Sequence, residues 1–177
     1  MPADDIDAAI QAFSASCAGP TGEDQTKIDV VLALEASLSD PRAMTFLVHV
    51  ASDPAAYDLA RIEALKVLGL SAPSAQQALA IWDALGASLL AETDLFVADY
   101  LAMNLGPFLS SPKAIQAIAF CLSPDQPRNL RHNALFSIER ATFSPELRSI
   151  LERHLTDPDL GAAAQRVLAQ CGPRKPA

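Results

Sequence analysis

Positive charge is in short supply in this sequence. Thirteen Lys and Arg stand against 21 Asp and Glu in 177 residues, a formal net of −8. Affinity for phosphate backbones is built from Lys and Arg, so the balance argues against a nonspecific nucleic-acid binder. Cysteine is sparse too. Cys17, Cys121 and Cys171 are odd in number, show no CxxC spacing and cannot all pair within the chain. No disulfide framework is implied, and a reduced, cytoplasmic setting is the expected default. No apolar run approaches the ~20 residues needed to span a bilayer. The N-terminus, Met1-Pro-Ala-Asp-Asp-Ile-Asp7, is acidic and has neither the basic nor the apolar region of a signal peptide. Neither membrane insertion nor secretion is expected.

Aromatic residues make up only 6% of the chain although 50% of it is hydrophobic. The apolar content is therefore mainly Ala, Leu, Ile and Val, and Ala and Leu lose least on entering a helix. Glycines number seven, and the thirteen prolines fall between apolar segments. Strand-like alternation is absent; apolar residues recur instead at steps of three and four. Together these features predict an all-α chain whose helices have hard stops.

The pattern predicts ten helices. Ile6, Ile10 and Phe13 mark the first, followed by a Gly-Pro-Thr-Gly break at 19–22. Ile28, Val31, Leu34 and Leu38 mark the second; Met44, Leu47, Val48 and Ala51 the third; Ile62, Leu65 and Leu68 the fourth. The fifth runs from Ser74 to Leu90 with Leu79, Trp82 and Leu85 on one stripe, unless Gly86 shortens it. Leu95, Ala98, Leu101 and Leu105 form the sixth, and Ile115, Ile118, Ala119 and Leu122 the seventh. Leu130, Ala134, Ile138 and Ala141 form the eighth, Leu147, Ile150, Leu151, His154 and Leu155 the ninth, and Leu160, Ala164, Val167 and Leu168 the tenth. Ser or Asp followed by Pro opens several of them, since the cap accepts an orphan N–H and proline at the first position needs none. The tail, 171–177, is expected to fray.

Short breaks between ten helices suggest repeating pairs. Pro41, Pro73, Pro112 and Pro145 recur at intervals of 32, 39 and 33 residues. Arg61-Ile-Glu-Ala-Leu65 begins twenty residues after Pro41, and Arg131-His-Asn-Ala-Leu135 nineteen after Pro112; Val167-Leu168 fills the same slot in the last pair. The third pair is longest, with its extra residues placed near Leu89–Thr93. Asp53-Pro54 with Arg61, and Asp125 with Arg131, resemble the Asp-Pro turn and Arg-x-x-Ala-Leu second helix of the HEAT-repeat family. The resemblance covers about residues 26–170 and picks out no subfamily. It implies one domain over 1–177, a right-handed α-solenoid of about five antiparallel pairs whose second helices line a concave face. It also implies that Arg61 and Arg131 join Asp53 and Asp125 in a structural ladder between turns; a phosphate- or carboxylate-binding role is the competing reading.

Residues that carry chemistry are few. His49, His132 and His154 fall on different helices without HExxH or other close ligand spacing, so no metal site and no cofactor are expected. There is no GxSxG elbow, no phosphate-binding Walker loop and no GxGxxG after a strand. Charge is unevenly spread: residues 1–100 hold fifteen acids and four bases (−11), whereas 101–177 hold six acids and nine bases (+3). Two readings fit: drift among solvated helix faces, which is favoured, or a bipolar surface that orients a partner, one with a basic face. Phe96, Tyr100 and Met103 form a second stripe on the sixth helix. Either that helix is buried all round, or the stripe faces the concave surface and anchors a partner.

The favoured reading is a noncatalytic protein-binding module, an adaptor or small inhibitor such as a bacterial immunity protein. Its expected site is a concave row of Glu63, Lys66, Asp99, Tyr100, Met103, His132 and Phe136. Two alternatives use the same scaffold. One is a nucleic-acid protein like the HEAT-like DNA-alkylation-repair glycosylases, with Trp82-Asp83 as its Trp–acid pair. The other is a lyase or chaperone-like factor similar to the HEAT-like bilin lyases.

Overall fold

The computed structural model describes residues 3–16 and 24–171, in ten α-helices with no strand among them. The break at 19–22, Cys17 and the tail beyond 171 lie outside the described residues. In order the helices are α1 (Ala3–Ala15), α2 (Gln25–Ala33), α3 (Pro41–Ser52), α4 (Asp58–Gly69) and α5 (Ala75–Ala91). They are followed by α6 (Leu95–Met103), α7 (Pro112–Cys121), α8 (Arg128–Arg140), α9 (Pro145–Arg153) and α10 (Gly161–Cys171). Single 3-10 turns follow α2 (Leu34–Ser37) and α6 (Gly106–Phe108). The second predicted helix is thus an α-helix that tightens at Leu34.

Local chemistry sets the helix starts. Pro41, Pro112 and Pro145 each occupy the first position of a helix, where the missing N–H costs nothing. Asp40 accepts the Arg42 amide at 2.8 Å, and Ser144 accepts that of Leu147 at 3.3 Å. Ser74 and Gln77 close a reciprocal capping box on α5. Asp94 accepts the amides of Phe96 and Val97 at 2.7 and 3.2 Å, which fixes where α6 begins.

Packing follows a simple order. Within the sequence pairs α1–α2, α3–α4, α5–α6, α7–α8 and α9–α10 the two helices touch. Each helix also touches the one two places on, so α2, α4, α6, α8 and α10 contact in succession, as do α1, α3, α5, α7 and α9. Ala60, Ala64, Ala98, Ala102, Ala114, Ala117, Ala134 and Ala164 are buried at these contacts, where a short side chain lets helix axes approach. Leu47, Leu65, Leu85, Leu101 and Leu151 fill the space between them.

Two expectations about α5 and α6 need correction. Leu79 and Leu95 are exposed rather than buried, Leu95 at 61%. The buried stripe of α5 is Ala78, Ile81, Trp82, Leu85 and Leu89, and that of α6 is Val97, Ala98, Leu101 and Ala102. Gly86 does not shorten α5, which runs unbroken to Ala91. Its role is to leave room, because a β-carbon there would lie 2.6 Å from the indole of Trp82. The extra length of the third pair is the last turn of this 17-residue helix.

Candidate functional site

Arg61 and Arg131 are both buried, with side chains 2% and 5% exposed, and each is neutralised within the fold. Arg61 pairs with Glu92 and, at 3.7 Å, with Asp58. Arg131 pairs with Asp157 and, at 3.5 Å, with Asp159, while its Nε donates to the Leu122 carbonyl at 3.2 Å. The buried acid meeting each arginine therefore comes from the turn of the following pair, not from Asp53 or Asp125. Asp53 instead accepts the Ala55 amide at 2.9 Å, and Asp125 takes a hydrogen bond from Ser123 that lowers its pKa. Burial pulls the Asp157 carboxyl up, but the amides of Leu160 and Asp159 and the Arg131 guanidinium outweigh it and hold it below the usual carboxylate range.

The two arginines differ in one bond. In α8 the arginine Nε takes the carbonyl nine residues earlier, that of Leu122. The matching carbonyl for Arg61 is Ser52, and the Ser88 hydroxyl donates to it at 3.0 Å. Arg61 Nε is left buried with no hydrogen-bond partner among the described residues.

Other conspicuous residues are absorbed by the fold. Trp82 is 1% exposed and packs in the core, whereas Asp83 is exposed and pairs with Lys113 at 2.7 Å. Cys121 is buried, and burial pushes its thiol up to about 12, far from the reactive thiolate range. His154 lies 3.8 Å from Asp157; burial lowers its pKa more than that carboxylate raises it. No cluster of three or more His, Cys, Asp or Glu that could hold a metal occurs among the described residues. No helix among them is long and apolar enough to cross a membrane.

The expected row lies on the even-numbered helices. On α4 the partly buried Glu63 and the exposed Lys66 pair at 2.7 Å. On α6 the residues opposite the buried stripe are Phe96, Asp99, Tyr100 and Met103. Phe96 is 59% exposed; the other three are half-buried. The rings of Phe96 and Tyr100 meet edge-on with centroids 5.4 Å apart. α6 is therefore not buried all round. On α8 the outward residues are His132, Asn133, Phe136 and Arg140. His132 and Asn133 are half-buried and Phe136 is 41% exposed. The Arg140 guanidinium lies 5.4 Å from the centre of the Phe136 ring and reaches the Gly69 carbonyl at 3.5 Å.

α6 and α8 are locked in register beneath this face. Ser137 of α8 donates to the Ala102 carbonyl and accepts the Leu105 amide at 3.1 Å. The expected row, Glu63, Lys66, Asp99, Tyr100, Met103, His132 and Phe136, thus falls on three consecutive helices of one series. Phe96, Asn133 and Arg140 join it. Phe96 was legible as part of the stripe, whereas Asn133 and Arg140 become visible only once α6 and α8 are placed side by side. No protein-family model matches the chain, and comparison with curated proteins finds no relative.

Proposed function

We propose that this chain is a single HEAT-like α-solenoid of five antiparallel pairs that binds another protein without catalysing a reaction. The solenoid reading rests on the succession of contacts within each series of alternate helices, the arrangement in which repeats bury their stripes against neighbours. The even-numbered series supplies the concave face, and its middle helices supply the site.

One observation carries the binding reading. Phe96 and Phe136 are large aromatic side chains left substantially in water, on adjacent helices, with Tyr100 half-buried beside Phe96. Aromatic residues dominate the energetics of protein interfaces, and an apolar patch with a polar rim marks such a site. Glu63, Lys66, Asp99 and Arg140 form that rim. The nucleic-acid reading finds no comparable support, because Lys66 is engaged by Glu63 and Arg140 sits on Phe136.

The test is capture from nuclease-treated lysate of the native host, using the wild-type chain and the Phe96→Ser/Phe136→Ser variant as baits. Both positions are exposed, so the variant keeps its fold. A protein retained by the first bait and lost from the second supports the reading. The same proteins on both baits, or nucleic acid as the main ligand without nuclease, would refute it.

A further inference from the structure

Trp82 brings an unpaired donor to a cleft between α5 and α7. Its side chain is 1% exposed, and its indole N–H makes no hydrogen bond to another described residue. An indole nitrogen can only donate, and a buried one usually has an acceptor. The ring position explains where one could come from. Nε1 lies 2.7 Å from the point where a β-carbon on Gly86 would stand, and Trp82 and Gly86 line the same cleft. A side chain at position 86 would cover the N–H side of the indole; glycine leaves it uncovered.

The rest of the cleft limits what can enter. Its volume is about 340 Å³, at the lower end of the ~300–1,000 Å³ typical of small-molecule sites. Ala87 and Leu90 supply apolar walls, and Leu90 is 57% exposed. Asp83 and Lys113 line the cleft as well and bridge α5 to α7 at 2.7 Å, with side chains 59% and 72% exposed. Their charges cancel on the solvent side. An entering carboxylate would meet Asp83, an entering ammonium would meet Lys113, and like charges brought together cost binding energy. An uncharged oxygen acceptor meets neither penalty and satisfies the N–H.

We infer that the α5–α7 cleft binds a small uncharged molecule whose carbonyl oxygen accepts the Trp82 N–H while its apolar body lies against Ala87 and Leu90. Amides and esters with a compact hydrocarbon group have this chemistry. The hydrogen bond fixes orientation, and the walls supply the apolar area that such sites use for affinity. The cleft lies on the odd-numbered helices, away from Phe96 and Phe136, so this site and the protein-binding face stand or fall separately.

The test uses the full chain labelled with 15N. Trp82 is the single tryptophan, so one indole N–H resonance reports on the site. Three probes share a cyclohexane ring: cyclohexanecarboxamide, cyclohexanecarboxylate and cyclohexylmethylammonium. The amide is expected to move the indole resonance downfield and saturably, and the two charged probes to bind about tenfold more weakly or worse. Leu90→Ser should weaken the amide, and Asp83→Asn should let the carboxylate bind as well as the amide does. Both positions are exposed, so the variants keep the wild-type melting temperature. Phe136→Ser should bind the amide as wild type does. No saturable movement of the indole resonance would overturn the site, as would a carboxylate that equals the amide in wild type. Amide affinity unchanged in Leu90→Ser, or lost in Phe136→Ser, would overturn it too.

Discussion

The indole of Trp82 occupies the space that a β-carbon on Gly86 would need, one turn further along α5. Replacing glycine by alanine inside a helix ordinarily stabilises it by about 1 kcal/mol. Here the added carbon meets a rigid ring rather than the end of a flexible chain, and overpacking of that kind costs roughly 1–3 kcal/mol. Gly86→Ala is therefore expected to lower the melting temperature. Trp82 is the single tryptophan of the chain, so its emission should shift to the red as the ring is displaced toward water. A raised melting temperature with unchanged emission would mean the indole has room to spare.

The pairing of Arg61 with Glu92 can be separated from a pairing with Asp53 by double-mutant cycles. Removing one member of a buried ion pair leaves the other charge uncompensated, at a cost of about 3–5 kcal/mol. Arg61→Ala should fall near that range, and coupling with Glu92→Ala should be large. Coupling with Asp53→Ala should be close to zero, since Asp53 caps its own turn. The reverse pattern in chemical denaturation would restore the ladder within a single pair.

Acid should act on the fold through the Arg131–Asp157 pair. The Asp157 carboxyl is depressed in the folded chain relative to about 3.9 when unfolded. Its stabilising contribution is present above that unfolded value and is lost as pH falls through the lower folded value. Asp157→Asn should therefore lose stability at neutral pH, with the difference from wild type narrowing below pH 4 as both forms become neutral there. A deficit independent of pH would assign Asp157 a purely geometric role.

Asp99 carries the opposite sign. A carboxyl whose folded pKa is raised contributes stability below its unfolded value and loses it as pH rises through the folded one. Asp99→Asn is expected to melt at or above the wild-type temperature at pH 7, with the advantage vanishing in acid. Destabilisation at pH 7 would make Asp99 a structural acid of the α6–α8 seam.

The sequence exposed the helices readily because their stops are chemical: Asp40-Pro41, Ser74, Ser111-Pro112 and Ser144-Pro145 each begin one. It exposed the arginine slots for a similar reason, the local Arg-x-x-Ala-Leu pattern. The acid across from each arginine was hidden, because spacing reveals what a turn contains and not which turn the next pair will bring alongside. Glu92 in particular depends on the extra turn of α5. Leu95 is exposed because only one side of the first turn of α6, that of Val97 and Ala98, meets the core; Leu59, in the first turn of α4, is exposed in the same way beside buried Ala60. On the face itself, the stripe Phe96–Tyr100–Met103 was legible. The Ser137 bonds to Ala102 and Leu105 were not, since they join helices whose register only packing decides.

The most direct measurement compares two exposed phenylalanines on opposite helix series. Phe136 lies on α8 and Phe120, 48% exposed, on α7. Calorimetric titration of the captured partner into wild type, Phe136→Ser and Phe120→Ser separates a face from general stickiness. A loss of about 2 kcal/mol for an interface anchor corresponds to roughly thirtyfold in affinity. The account predicts that loss for Phe136→Ser, unchanged affinity for Phe120→Ser, and the same melting temperature in all three. Unchanged affinity in Phe136→Ser with loss in Phe120→Ser would place the partner on the odd-numbered helices and contradict it.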